Sequence, residues 1–248
     1  ASLLAIVVVL GIFLLIGAGF VSMSGKEKPI EDGSYLVIDI YGDMQEYNPP
    51  AGVMAELTGG KPETLHRILG NLKKAAADDK IEGVIIKMSA SNGAGLAMLE
   101  EIRKAVKRVQ ESGKKVYGFA DTMNRKTYYL ASACDSLLMP ETAYINFMGM
   151  ATVTQHIRGT LDKLGINPEM HKIKDYKSAA EMIMNKKMSK PARENKEWML
   201  DEYWNIMVEA LKEDRGITEN QVIQIMNMAL LTAEQARQVG LVDRVMYW

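Results

Sequence analysis

The chain has 248 residues, enough for one large domain or two small ones, and a net charge of −1 with both signs mixed along its length. That balance leaves no basic footprint for nucleic acid. A single cysteine, Cys134, excludes an intramolecular disulfide framework and a CxxC metal site, and His66, His156 and His171 stand far apart without HxxxH spacing, so no metal or cofactor is expected.

In chain order, residues 3–21 form an uncharged apolar run. It is close to the ~20 residues that cross a bilayer and longer than the roughly 7–15 of a signal-peptide core. We read 1–24 as a membrane anchor touching lipid through 3–21, 25–34 as a polar tether, and 35–248 as the domain that follows. Residues 35–40 read as a strand and 42–60 as a long loop containing Pro49 and Pro50. From Thr64 the apolar positions Leu65, Ile68, Leu69, Leu72 and Ala76 recur at helical spacing. The short apolar run 83–88 reads as a buried strand, followed by a small-residue loop and a helix with Leu96, Leu99, Ile102, Val106 and Val109 on one face. Such a strand-loop-helix exposes backbone N–H groups that can stabilise an anion; Gly93-Ala94-Gly95 fits that role and fits an ordinary turn as well.

Residues 116–120 read as a strand, followed by 121–127 and then by the helical 128–133, whose apolar context makes Cys134 a buried thiol. Short strands are expected at 137–140 and 143–145, and a helix over 157–165 closed by Gly165. A strand is expected at 170–173. Pro191 fits the first turn of a long amphipathic helix bearing Trp198, Tyr203 and Ile206. Helices over 218–228 and 232–239, the second stopped at Gly240, and a strand at 241–245 complete an α/β fold with mostly parallel strands. The 18 methionines suit flexible core filler or an adaptable surface for peptides.

Between the strand expected at 170–173 and the helix expected after it lies a charged loop with Lys174 and Lys177. A lysine there is either a solvated loop charge or a partly buried group. Burial disfavours the ammonium and can bring its pKa from about 10.4 towards neutrality, which turns it into a general base.

Four segments now coincide in order. They are Tyr128-Tyr129-Leu130-Ala131-Ser132-Ala133-Cys134-Asp135, Asp175-Tyr176-Lys177-Ser178-Ala179-Ala180-Glu181, Met188-Ser189-Lys190-Pro191-Ala192-Arg193-Glu194 and Thr232-Ala233-Glu234-Gln235-Ala236-Arg237-Gln238-Val239-Gly240-Leu241-Val242-Asp243. Together they resemble the signal peptide peptidase A (protease IV) family over residues 35–245. The resemblance implies a crotonase/Clp protease-like core of repeated β-β-α units behind one transmembrane helix. It also implies a serine peptidase with a Ser/Lys dyad that degrades cleaved signal peptides, without cofactor or metal. The expected setting is a homo-oligomer (a tetramer for the tandem form) in the bacterial inner membrane, single-pass, with its soluble domain on the periplasmic side.

By the same resemblance Lys177 is the general base, and Ser178 either orients it or caps the next helix. Gly93 aligns near the oxyanion-hole glycines. The nucleophile does not match: short members carry a serine three residues before the Tyr-Tyr pair, in a Ser-Gly-Gly run, where this chain has Arg125, Lys126 and Thr127. Ser132 falls at a structural small residue of the helix, and Asn124, Arg125 and Lys126 are either surface residues or partners of a neighbouring subunit. The chain therefore resembles the first half of the tandem form, 35–248 being a lysine-bearing half-domain whose serine comes from a C-terminal half or a partner chain. In such a half the oxyanion loop around Gly93 can be vestigial. Two alternatives stay open: a non-catalytic scaffold subunit of the same fold, and a crotonase-like acyl-CoA enzyme.

Overall fold

A computed structural model of the chain describes residues 29–47 and 63–248. The expected anchor at 1–24, the start of the tether and most of the 42–60 loop lie outside those residues. Among the described residues no helix is long and apolar enough to cross a membrane.

The strands are β1 (Ser34–Gly42), β2 (Ile81–Asn92), β3 (Lys115–Ala120), β4 (Thr122–Asn124), β5 (Ser136–Met139), β6 (Tyr144–Asn146), β7 (Leu230–Thr232) and β8 (Arg244–Val245). The helices are α1 (Leu65–Ala77), α2 (Leu96–Glu111), α3 (Arg125–Ala131), α4 (Arg158–Lys163), α5 (Glu181–Met184), α6 (Lys190–Arg215), α7 (Glu219–Met228) and α8 (Ala233–Gln238). A five-stranded sheet runs β1-β2-β3-β5-β8 with every neighbouring pair parallel. In a three-stranded sheet, β6 pairs parallel with β4 and antiparallel with β7. The fold is thus α/β on a parallel sheet. Successive strands β3 and β4 enter different sheets before α3, which is one β-β-α unit, and β5 and β6 repeat the alternation.

Strand periodicity explains the core. Ile38 and Ile40 of β1, Val84, Ile86 and Met88 of β2, Val116 and Ala120 of β3, and Leu137 of β5 are buried with Ile68 and Leu72 of α1 and Leu99, Ile102 and Val106 of α2. Gly83 is needed where β1, β2 and β3 meet, because a Cβ there would stand 2.8 Å from the Lys115 carbonyl oxygen and 2.8 Å from the Tyr35 ring. The other face of the sheet is more open: Tyr35 and Val37 are exposed, and Tyr117 and Phe119 are half-buried. Parallel sheets are ordinarily covered on both faces. Here Trp248 supplies a partial cover, its ring 5.4 Å from Phe119 and 4.6 Å below Lys87 Nζ.

Caps fix the helix ends. Thr64 accepts from Arg67 N at α1, Ser189 from Ala192 N at α6, and Thr218 and Thr232 form capping boxes with Gln221 and Gln235. Gly216 ends α6 at φ 64°, a left-handed conformation that glycine adopts without strain.

Several expectations change. The segment 121–127, for which no element is expected, holds β4 and the start of α3, and β7 was not anticipated. The closing strand shrinks to Arg244–Val245, and the helix at 157–165 to Arg158–Lys163. Residues 170–173 are not a strand. Extended backbone needs a partner for its N–H and C=O groups, and Lys174, at φ 65°, turns the chain away instead.

Candidate active-site loops

The end of β2 and the start of α3 are tied by side chains. Asn124 caps α3, its Oδ1 accepting from Thr127 N at 2.9 Å while its Nδ2 donates to the Ala90 carbonyl at 3.0 Å. Asn92 Nδ2 donates to the Ser89 carbonyl at 2.7 Å and to Thr127 Oγ1 at 3.0 Å. Arg125 is therefore held as the first residue of α3. It is half-buried, its guanidinium donates to the Met148 carbonyl, and burial pulls its pKa below the ordinary arginine value.

Lys126 takes a position that sequence reasoning did not foresee. Its Nζ donates to the carbonyls of Asn92 at 3.0 Å and Ala94 at 2.8 Å, gripping the β2–α2 loop. The Gly93 N–H, the candidate oxyanion donor, is engaged as well, donating to the Gly42 carbonyl at 2.6 Å. A Cβ at Gly93 would lie 2.7 Å from Asp43 Oδ1 and 3.0 Å from Asp43 Cα, so close packing accounts for this glycine. The loop has the expected backbone course, but its donor at Gly93 points into the chain itself.

Among the described residues no hydrogen bond or ion pair joins the lysine segment to these loops. Lys177 is exposed, in irregular backbone between Tyr176 and Glu181 rather than partly buried at a strand-to-helix junction. Ser178 does not cap the following helix: Ala180 is the N-cap of α5, and the Ser178 carbonyl accepts from Glu181 N at 3.0 Å. Among the described residues no hydrogen bond joins the Ser178 hydroxyl to Lys177.

What holds this loop is Glu181, whose role sequence reasoning missed. Its buried carboxylate accepts from Ser189 Oγ at 2.6 Å and Ser189 N at 3.1 Å, with Lys172 Nζ 3.8 Å away. The Ser189 hydroxyl, with the help of its backbone N–H and Lys172, holds the Glu181 carboxyl below its ordinary range despite burial. On the other side His156 Nδ1 lies 3.1 Å from the Glu181 carbonyl and 3.0 Å from that of Asn185, so this ring nitrogen donates. An acidic residue four positions after the lysine, in register with a Ser-Lys-Pro helix start, was the available signal.

Two other side chains are structural. Ser132 is buried and donates to Asp214 Oδ2 at 3.0 Å while accepting from Arg103 at 2.9 Å, so it is no nucleophile. Burial pushes the Cys134 thiol up to about 12, which leaves it protonated and inert. The structure thus brings Gly93, Arg125 and Lys126 to one loop junction and leaves Lys177 and Ser178 on another, with no hydrogen bond between the two among the described residues.

The model of the family described as Peptidase family S49 matches residues 108–248, more than half of the chain. The chain belongs to peptidase family S49. Among curated S49-like relatives, the chloroplastic serine protease SPPA of Arabidopsis thaliana is 28% identical over 88% of this chain and 31% of its own length. Protease 4 of Haemophilus influenzae is 26% identical over 88% of this chain and 37% of its own. The chain spans about a third of the length of these relatives, whereas it covers 74% of a 26% identical relative from Methanocaldococcus jannaschii. Similar solved structures include a membrane-bound stomatin-specific protease, 14% identical, TM-score 0.47, over 87% of this chain and 80% of that one. An enoyl-CoA hydratase/isomerase family member is 16% identical, TM-score 0.47, over 88% and 68%. At such scores the fold assignment rests on this chain's own sheet topology.

Proposed function

We propose that this chain is the lysine-bearing half of a membrane-anchored serine peptidase that degrades cleaved signal peptides. Lys177 is the general base, and the serine comes from a C-terminal half or a partner chain. The observation that carries the reading is the combination, within an S49 chain, of Lys177 in its Lys-Ser-Ala-Ala-Glu segment and Arg125 where a serine is wanted. A guanidinium has no lone pair to attack a carbonyl, so residue 125 cannot open the reaction. The exposure of Lys177 supports the same division. A lysine base works best when desolvated, so on this reading the C-terminal half or partner chain also has to cover it.

In the assembled site the neutral lysine takes the serine hydroxyl proton as Oγ attacks the scissile carbonyl. The resulting ammonium then protonates the leaving amine, and water repeats the cycle on the acyl-enzyme. The apolar run at 3–21 fits an anchor in the bacterial inner membrane with the catalytic domain on its outer side, and apolar signal peptides fit an oligomer that encloses the site. The test is Lys177→Ala and Lys177→Arg in the full-length protein, assayed on a fluorogenic apolar peptide with folding checked by circular dichroism. Both should lower kcat by about 10³-fold or more, because arginine keeps the charge without becoming a base. Normal turnover in either would refute the assignment.

A further inference from the structure

A cavity of about 240 Å³ opens between the starts of α2 and α3, the segment after β6, and α6. Leu96, Met150, Tyr203 and Met207 contribute apolar and aromatic lining, and Arg125 and Lys126 line it too. Neither cation has a carboxylate partner among the described residues. Arg125 donates to the Met148 carbonyl and Lys126 to those of Asn92 and Ala94, which leaves further donors on both. The buried guanidiniums elsewhere are matched, Arg103 by Asp214 and Arg215 by Asp243, whereas the half-buried Lys114, like Lys126, is held by carbonyls alone. A half-buried guanidinium without a counter-charge is an electrostatic deficit that a bound anion relieves.

Size narrows the anion. Pockets for drug-sized ligands run from roughly 300 to 1,000 Å³. This one takes a single large side chain and not several. A mixed lining of two cations and apolar groups asks for an apolar residue that carries its own carboxylate.

We propose that this cavity binds the free C-terminal carboxylate of an apolar peptide, with Arg125 and Lys126 receiving the carboxylate and the apolar lining receiving the last side chain. The choice of a peptide rests on the peptidase reading, since hydrolysis of apolar peptides generates such ends. The position that elsewhere in the family would attack a peptide thereby becomes one that holds a product or substrate terminus.

The experiment is calorimetric titration of the full-length protein with N-acetyl-Leu-Ala-Leu-Leu as the free acid and as the C-terminal amide, at low and high salt. The acid should bind about tenfold or more tightly than the amide, with the difference shrinking as salt rises. Arg125→Gln should erase the preference and leave the amide unchanged, while Arg125→Lys should keep part of it. Equal binding of acid and amide, a preference that survives Arg125→Gln, or no binding of either at millimolar concentration overturns the proposal. So does decanoate binding more tightly than the peptide acid. If Arg125→Gln does not fold, Met150→Trp, which fills the cavity without removing a cation, should abolish acid binding, and retained binding counts against it. The peptides are recovered after titration and checked intact by mass spectrometry, so turnover does not enter the heats and failure of the Lys177 assignment is a separate result.

Discussion

Asp214 accepts from Lys107 Nζ at 2.6 Å, from Arg103 Nη2 at 2.8 Å and from Ser132 Oγ at 3.0 Å, joining α6 to α2 and to the end of α3. Burial alone would raise its pKa, but the bonds from Lys107 and Arg103 outweigh that and hold it below the ordinary range. Removing the carboxylate strands two cations, so Asp214→Ala should cost about 3–5 kcal/mol in urea unfolding. Because the folded pKa lies below the unfolded value of about 3.9, this stabilisation is present above about pH 4 and lost as pH falls through the folded value. Glu181, held low first by the Ser189 hydroxyl, has the same sign. Acid unfolding should therefore steepen below about pH 4 in the native protein. In Asp214→Asn that limb should be flatter, as read by circular dichroism across a pH series.

At the level of elements, what could be read from sequence was what repeats locally. The faces of α1 and α2 followed from apolar spacing, and the start of α6 from Pro191. β4 and β7 escaped because three residues are too few for a period, and each exists only through pairing with β6. The segment 170–173 failed for another reason: a strand is expected there between Met170 and Ile173, but it has no pairing partner among the described strands. Arg125 was legible as a departure at one position. The grip of Lys126 on Asn92 and Ala94 was not, since it depends on two loops distant in sequence meeting. Ser189 was not legible either, because it serves two elements at once, capping α6 and donating to Glu181. Ser189→Ala should therefore destabilise by about 1–2 kcal/mol, near the upper end for a cap alone. It should also speed hydrogen exchange across residues 171–180, whereas loss of a cap alone would loosen only the first turn of α6.

On the scale of the molecule, a good deal of apolar surface near the lysine loop faces outward. Val153 is 88% exposed and Ile173 79%, with Tyr176 and Met170 also exposed. Lys177 directly follows Tyr176, so the proposed assembly would cover it if that assembly is built on this surface. Amine-reactive labelling followed by mass spectrometry separates the two states. In a monomeric fragment of residues 29–248 Lys177 should react like the exposed Lys186 and Lys190, and in the full-length assembly it should be protected several-fold. Equal labelling in the assembly would place the lysine outside any interface.

The hold of Lys126 on the β2–α2 loop bears on how readily such a site could ever be regained. Serine at position 125 would restore a hydroxyl, yet the ammonium would still clasp the loop and the Gly93 amide would still face Gly42. Releasing the loop without the serine would gain nothing either. Either change alone would leave the loop without a hydroxyl and a free backbone donor together. If the proposed tandem reading holds, this copy could supply a nucleophile of its own only after both changes together, which leaves that role to the second copy.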